Sequence, residues 1–311
     1  MERNKIEVIV FELTNKDEMG QERSKDTTRN LKLKLIKDVI EEINEQKMNI
    51  KHVELGGSGN PLLNPKIKQI LELLHQNNIG TTIVTNGLKL REIISKIEDS
   101  TLKNTHFCLY LDHPDEKRND KLMIEWIYKK TIESIEYLAS RGIKYDILVK
   151  INSRNYDKIE EMLEIAKHYN CNLLLPMEIF PFNENKQLLL TDKMKKEAIQ
   201  TIHRLREIGE PIFKVIHFET PPNNCSYLRK ERLFINSKGQ LGFCHFLSDL
   251  NNSWIVDMKG KSLKELIEIN NLVRNKFLAK KQKEVISWEF PRKTASPCSY
   301  CLKCYGVKEK W

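Results

Sequence analysis

The sequence predicts an α/β fold built on a parallel β-sheet. Over its first two hundred residues, short apolar segments alternate with segments whose apolar residues recur at helical spacing. The first apolar segment, Ile6–Leu13, is almost continuous, which is typical of a strand buried on both faces. Repeated β-α units of about thirty residues imply right-handed crossovers. Six such units are too few for a closed eight-stranded barrel, so we expect a partial barrel or an open doubly wound sheet.

Strands and helices can be placed in order along this first region. The predicted strands are Ile6–Leu13, Val53–Gly57, Thr81–Thr85, Phe107–Leu111, Tyr145–Ile151 and Asn172–Met177. The predicted helices are Leu31–Ile43, Ile67–Leu74, Leu90–Ile97, Met123–Leu138, Ile159–His168 and Asp192–Ile208. In either architecture the working face lies at the C-terminal ends of the strands.

The pattern changes after Gly209, where prolines begin to punctuate the chain. Leu233–Asn236 and Gln240–Phe243 flank the turn sequence Ser-Lys-Gly, which predicts a β-hairpin. Ser262 and Glu265 form a capping box that opens a basic helix to about Lys281. We therefore expect two domains, an α/β domain over 1–208 and a small C-terminal α+β domain over 209–311.

The composition and the N-terminal sequence argue against a membrane-spanning or a secreted protein. The chain is 31% charged and 40% hydrophobic, which is ordinary for a globular domain. No segment has the length of a membrane span, and the charged N-terminus excludes a secretory signal. We expect a cytoplasmic protein with no membrane partner, in which cysteines stay reduced. Metal binding then explains seven cysteines better than disulfides do.

The net charge of +9 raises the question of a nucleic-acid partner. Lysines are spread through every predicted helix, and the densest patch, Lys276–Lys283, falls on one of them. A solvated helix face explains that patch, so we expect no nucleic acid partner.

Five of the seven cysteines fall after residue 224. They are Cys225, Cys244, Cys298, Cys301 and Cys304. Thiolates at such spacing suit a soft metal ion or an iron–sulfur cluster. A structural Cys₄ zinc site remains an alternative, although such sites usually have two short Cys-x-x-Cys knuckles, whereas Cys225 and Cys244 are separated by eighteen residues.

Four segments of the first region together resemble the radical S-adenosylmethionine (radical SAM) superfamily. They are Phe11–Thr14 at the end of the first strand, the glycine-rich loop Leu55–Asn64, Val84–Gly87 and Leu109–Asp112. Their order and spacing resemble the family over roughly residues 5–208. The resemblance implies a partial (β/α)₆ TIM-like barrel of the radical SAM type, with the loop residues Gly56, Gly57, Ser58, Gly59 and Asn60 in the place that holds S-adenosylmethionine.

The C-terminal region resembles the SPASM or twitch domain appended to many of these enzymes. Cys225, Gly239 and Cys244 follow the spacing with which that domain opens, and Cys298 with Cys301, or Cys301 with Cys304, supplies the later Cys-x-x-Cys. The number of cysteines fits the shorter twitch type. The resemblance implies one auxiliary [4Fe–4S] cluster, with Cys225, Cys244, Cys298 and Cys301 as ligands and Cys304 competing for the last place.

The sequence departs from the family where the activating cluster should bind. The family's Cys-x-x-x-Cys-x-x-Cys motif is absent, and Asp17, Gln21 and Ser24 fall at its three positions. Asn60 stands where the family has a glutamate that holds the methionyl amino group, and a neutral amide makes no charge-assisted bond to an ammonium. We therefore expect a degenerate member that does not use S-adenosylmethionine and is not an independent radical SAM enzyme.

These expectations combine into one leading hypothesis and two alternatives. The chain would bind one auxiliary cluster in a heteromeric complex with an active radical SAM enzyme, a peptide substrate or both, as scaffold, docking subunit or electron relay. The first strand begins within ten residues, so we expect no separate leader-binding domain. The alternatives are a stand-alone redox enzyme that uses the barrel mouth and the cluster, and a binding protein with a structural zinc.

Simpler readings exist for several other residues. Cys108 and Cys171 lie among apolar neighbours and are expected to be small core residues. His245 beside Cys244 is either an exposed loop residue or a donor to a cluster sulfur. Asp112, His113 and Asp115 have metal-ligand chemistry, but turn formation before Pro114 explains them, and a solvated loop explains Asp17 and Glu18.

Overall fold

The structure is a computed structural model that describes residues 6–18, 28–178, 187–214, 225–247, 254–286 and Cys301. These residues cluster into two compact units. The first contains residues 1–85, 92–105 and 222–292, and the second contains residues 86–91, 106–221 and 293–311, each as far as it is described. The predicted boundary between 208 and 209 stays a prediction; in the structure, residues 222–292 cluster with the first strands of the chain.

The chain alternates strands and helices as the sequence predicts. The described strands are β1 Val8–Phe11, β2 His52–Leu55, β3 Gly80–Thr85, β4 Thr105–Tyr110, β5 Lys144–Ile151, β6 Leu173–Glu178, β7 Ile212–Lys214, β8 Arg232–Ile235, β9 Gln240–Gly242 and β10 Trp254–Asp257. The described helices are α1 Leu33–Glu45, α2 Ile67–Gln76, α3 Leu90–Ile94, α4 Asp99–Leu102, α5 Glu116–Leu122, α6 Ile127–Ser140, α7 Ile159–His168, α8 Asp192–Glu207 and α9 Leu263–Ile286.

In the first unit, β1 lies at the centre of a mostly parallel sheet. It pairs in parallel with β2 on one side and with β8 on the other, so that Val10 faces Glu54 and Phe234 across the two ladders. β3 continues the parallel sheet beyond β2, while β9 and β10 extend it antiparallel beyond β8. The hairpin predicted around Ser237 is therefore confirmed, and its first strand belongs to the same sheet as β1.

In the second unit, β4, β5, β6 and β7 form a parallel sheet in chain order. The helices between them bury one apolar face each; in α7 this face is Ile159, Met162, Leu163 and Ala166. Together with the first unit, this confirms the predicted α/β fold with a parallel sheet. Closure into a partial barrel stays a prediction.

The prediction of a helix from Met123 was wrong over its first four residues, since α6 begins at Ile127. The sequence predicted a single helix over Met123–Leu138, but the structure has α5, a connection, and then α6. Trp126 lies in the connection with φ of 74° and is 63% exposed. The Asp120 carboxylate accepts the backbone N–H groups of Trp126 and Tyr128 at 2.7 and 2.9 Å, and so caps α6 from outside it.

Two short strands were not predicted. β7 and β10 have three and four residues, too few to show a hydrophobic period. The Ser262 capping box was predicted correctly: the Ser262 backbone N–H donates to Glu265 at 2.7 Å, and the Glu265 backbone N–H donates to Ser262 Oγ at 3.3 Å. Over the described ranges, none of the helices combines the length and the apolar character that crossing a membrane requires.

Candidate functional site

The glycine-rich loop follows β2 at the C-terminal edge of the first unit's sheet. Gly57 has φ of 149°, and a Cβ atom there would lie 2.8 Å from Glu12 Cβ. A Cβ atom on Gly59 would come within 2.6 Å of the Lys16 carbonyl oxygen and nearer still to that of Thr14. Both glycines are therefore required by close approach of the loop to the chain leaving β1.

Glu12, directly after β1, joins this loop to the β8–β9 turn. Its side chain is buried, with 3% exposure. One carboxylate oxygen accepts the backbone N–H and the hydroxyl of Ser58 at 3.0 and 2.7 Å. The other accepts the backbone N–H and the hydroxyl of Ser237 at 3.0 and 2.8 Å. Four donors thus compensate a carboxylate removed from water.

Asn60 is also buried, and its amide makes hydrogen bonds on both sides. Its Nδ2 donates to the Glu18 carboxylate at 3.0 and 3.2 Å. Its Oδ1 accepts the Thr85 hydroxyl at 3.0 Å and the Leu62 backbone N–H at 3.2 Å. The Asn60 side chain therefore ties the glycine-rich loop to β3 and to the segment after β1. Of the three positions predicted to stand in register with a cysteine motif, Asp17 is described and half-buried, whereas Gln21 and Ser24 lie outside the described residues.

In the second unit, polar residues gather at the C-terminal ends of β4 and β5. Asp112 is buried and accepts the Lys150 backbone N–H at 2.8 Å. Burial raises the pKa of the Asp112 carboxyl, and the Lys150 charge opposes that rise. The Lys150 ammonium lies 3.9 Å from the centre of the Tyr110 ring.

The residues after Asp112 form the start of α5, as turn chemistry predicts. The His113 Nδ1 atom accepts the Asp115 backbone N–H at 2.9 Å, and the Asp115 carboxylate accepts the Arg118 backbone N–H at 2.9 Å as an N-cap. Their side chains are thus used in local structure.

Cys225 and Cys244 are brought together in the first unit. Both are half-buried and pack against one apolar cluster formed by Val10, Tyr227 and Phe234. Burial raises the pKa of the Cys244 thiol to about 12, with the neighbouring Cys225 as a further cause. The Phe246 backbone N–H donates to Cys244 Sγ at 3.3 Å. Cys225, which precedes the hairpin, and Cys244, which follows it, therefore contact the same apolar cluster.

His245 is not an exposed loop residue, as the simpler reading had it. It is half-buried, and its Nδ1 atom lies 2.6 Å from the hydroxyl oxygen of the buried Tyr227. This hydrogen bond ties the imidazole to the apolar cluster that both cysteines contact.

The remaining predicted ligands are placed only in part. Cys301 is buried, with 9% exposure. Cys298 and Cys304 lie outside the described residues. In the part of the chain that is described, no three His, Cys, Asp or Glu side chains lie close enough together to hold a metal ion. The five-cysteine ligand set therefore stays a prediction. Cys108 and Cys171 are buried free thiols, in agreement with a core role.

Sequence reasoning missed Glu12 and Ser237 as a pair. They are 225 residues apart, and nothing in a single sequence links a glutamate after the first strand to a serine in a late turn. An acidic residue beside a continuous apolar strand was the one signal that could have marked Glu12.

With this geometry in view, the chain can be compared with known proteins. Residues 14–166 match the profile of the Radical SAM superfamily. Mycofactocin maturase MftC from Mycobacterium tuberculosis is 23% identical over 139 residues, which is 44% of this chain and 34% of the maturase. The S-adenosyl-L-methionine-dependent tRNA 4-demethylwyosine synthase from Methanocaldococcus jannaschii is 34% identical over 68 residues, 21% of this chain and 22% of the synthase. The alignments thus span about a third or less of these relatives.

The fold has relatives among solved structures. Streptococcus suis SuiB bound to S-adenosylmethionine superimposes with a TM-score of 0.67 at 16% identity, over 87% of this chain and 68% of SuiB. At this identity the likeness shows a shared fold. The strand and helix order and the glycine-rich loop after β2 agree with the match of residues 14–166 to the Radical SAM superfamily profile.

Proposed function

We propose that the chain is a degenerate radical SAM protein that binds one auxiliary [4Fe–4S] cluster and acts with an active radical SAM enzyme. The observation that carries the proposal is a contrast between two sites. The chain has no cysteine before Cys108, whereas Cys225 and Cys244, on either side of the hairpin in sequence, contact one apolar cluster.

The residues present do not fit an activating cluster. Three thiolates are needed to hold it, and residues 14–24 contain none. Asn60 adds a second departure, because its amide is engaged with Glu18 and Thr85. We therefore propose that the chain does not use S-adenosylmethionine.

The C-terminal thiols fit an auxiliary cluster in their chemistry. A cubane takes four cysteine sulfurs, and Cys225 with Cys244 would supply two of them. We propose that Cys298 and Cys301 supply the others, with Cys304 as the competitor. Such a group supplies one-electron transfer, while the chain's own part is to hold the sulfurs and to limit their exposure to water.

The peptide context rests on two relatives by name. MftC is called a mycofactocin maturase, and SuiB has been solved bound to a precursor peptide, SuiA. We propose that the chain takes part in ribosomal-peptide modification, as scaffold, docking subunit or electron relay for its partner enzyme.

Anaerobic purification tests the cofactor. We expect a brown protein with absorption near ~400 nm and about four irons per chain. A colourless protein with one tightly bound zinc would replace the cluster with the structural zinc site. An iron-free and zinc-free protein would reject both.

Activity assays test degeneracy and partnership separately. The isolated, reduced chain should not cleave S-adenosylmethionine, and an active radical SAM enzyme from the same genome neighbourhood should co-purify with it. Reductive cleavage by the chain alone would reject the degenerate reading. Turnover of a substrate by the chain without a partner would favour the stand-alone redox enzyme, for which the Asp112 and Lys150 cluster is the available polar site.

A further inference from the structure

Arg274 of α9 is a fully buried cation in the first unit. Its side chain has 0% exposure. Its Nε atom donates to Asn270 Oδ1 at 3.1 Å, and its guanidinium also donates to the carbonyl oxygen of Phe243. The guanidinium carbon lies 3.9 Å from the centre of the Phe243 ring. The side chain is thus fixed from its own helix and from the hairpin.

These contacts place the charge beside the thiol pair. Phe243, whose carbonyl receives the hydrogen bond, directly precedes Cys244. Tyr227, whose ring centre is 5.6 Å from the guanidinium, belongs to the apolar cluster against which both cysteines pack. The guanidinium is therefore anchored to the residue that precedes one of the two cysteines, and it lies near the cluster that both cysteines contact.

A buried guanidinium at position 274 is less favourable for folding than an apolar side chain that only fills the space. Arginine stays charged under all ordinary conditions, and removal of such a charge from water is unfavourable. A leucine or methionine would fill the same space on α9 without that cost. Thiolates that carry a metal group would offset this desolvation cost, because they bring net negative charge into the same apolar surroundings.

We propose that Arg274 is the positioning and charge-balancing residue of the thiolate site formed by Cys225 and Cys244. This inference rests on the proposed function, because it assumes a metal group held by these sulfurs. Arg274 holds the backbone just before Cys244 and stabilises the more negative, reduced form of the bound group. Its charge therefore raises the reduction potential.

The test is a redox titration of the anaerobically purified, iron-loaded full chain. Four variants are compared with the unchanged protein: R274Q, R274K, N270D and R229Q. R274Q removes the charge. N270D keeps Arg274 but sets a carboxylate against its Nε atom, and so offsets the charge with little change in shape. R274K keeps the charge without the planar fork. Arg229 is a half-exposed arginine that pairs with Glu231, and R229Q is the matched control.

R274Q and N270D should each lower the midpoint potential, at unchanged iron content. We expect a shift of about tenfold in the reduction equilibrium, or about 59 mV for a one-electron couple. R274K should stay close to the unchanged protein, and R229Q should not differ from it. If R274Q fails to fold, N270D carries the same comparison with Arg274 in place.

Each other outcome decides against one of two claims. Normal iron content and normal potential in both R274Q and N270D would overturn the role of Arg274 and leave the cluster itself intact. Loss of iron from R274K as well as R274Q, with both folded, would overturn charge balance as the reason for the residue. Failure of the unchanged protein to hold iron would instead remove the proposed function, and this inference with it.

Discussion

Glu12 and Ser237 are joined by two hydrogen bonds across 225 residues of sequence. The carboxylate of Glu12 reaches the serine of the β8–β9 turn with one oxygen and Ser58 of the glycine-rich loop with the other. The loop that resembles a cofactor-binding loop and the turn between the two candidate thiol ligands therefore share one buried charge.

The first prediction concerns this shared carboxylate. E12Q keeps the shape of the side chain but turns an NH₂ group toward a backbone N–H that needs an acceptor. We expect a loss of about 2–4 kcal/mol in the free energy of unfolding, measured by urea denaturation. E7Q, at an exposed glutamate on the same segment, should change stability by less than about 0.5 kcal/mol. Equal effects of the two substitutions would show that the four hydrogen bonds contribute little.

The second prediction concerns the close approach at Gly59. G59A would drive a Cβ atom against the backbone carbonyls of Thr14 and Lys16, which cannot move aside without shifting β1. We expect a loss of about 1–3 kcal/mol from overpacking. G80A is the control, because a Cβ there meets the His52 ring at 3.0 Å, and that side chain can turn away. A G59A protein as stable as G80A would contradict the close packing of the loop.

The third prediction concerns the ligands. C225A and C244A should each lose most of the iron in an anaerobic preparation, because site assembly is coupled to folding of the region around it. C108A and C171A remove buried thiols outside the proposed ligand set and should keep about four irons per chain. Metal analysis measures the iron content of each variant. An unchanged iron content in both C225A and C244A would refute the ligand set.

The fourth prediction concerns pH. Burial raises the pKa of Asp112 in the folded protein, so the folded state binds this proton more tightly than the unfolded state does. Stability from this group is therefore present below the unfolded pKa and is lost as pH rises through the folded pKa. D112N keeps an oxygen for the Lys150 N–H and removes the titration. Its stability relative to the unchanged protein should rise from pH 4 to pH 7, as measured by urea denaturation at each pH.

A flat D112N difference would show that Asp112 ionises as easily in the folded as in the unfolded protein.

The fifth prediction concerns the cap of α6. D120A removes the acceptor for the backbone N–H groups of Trp126 and Tyr128. We expect a loss of about 1–2 kcal/mol in the free energy of unfolding, typical of a lost helix cap. E125A, at an exposed residue of the same connection, should be nearly neutral. A neutral D120A would mean that water replaces the carboxylate at little cost.

Much of the fold could be predicted because its pattern is local. Apolar spacing placed α7 over Ile159–His168, and the Ser-Lys-Gly turn placed the hairpin, with both agreeing closely with the structure. The connection between α5 and α6 could not be predicted, because Met123, Trp126 and Ile127 continue the helical spacing of the apolar residues of α6 toward the N-terminus. Two features set this connection. The Asp120 carboxylate accepts two later backbone N–H groups, and the Trp126 backbone adopts a left-handed conformation.

The site was predictable in its residue types but not in its contacts. Spacing marked Cys225 and Cys244 as partners, and the structure places them against one apolar cluster. Nothing in the basic sequence of α9 distinguishes Arg274 from its exposed neighbours, since its burial depends on where the helix packs. The hydrogen bonds of Glu12 and Asn60 likewise join segments that are distant in sequence and that only the fold brings together.

The parallel pairing of β1 with β8 also bears on how the chain is made. β1 is synthesised before the other described strands, yet one of its two neighbouring strands follows more than two hundred residues later. Until then its backbone edge and the Glu12 carboxylate lack their final partners, so the nascent N-terminal half is expected to depend on chaperones during synthesis.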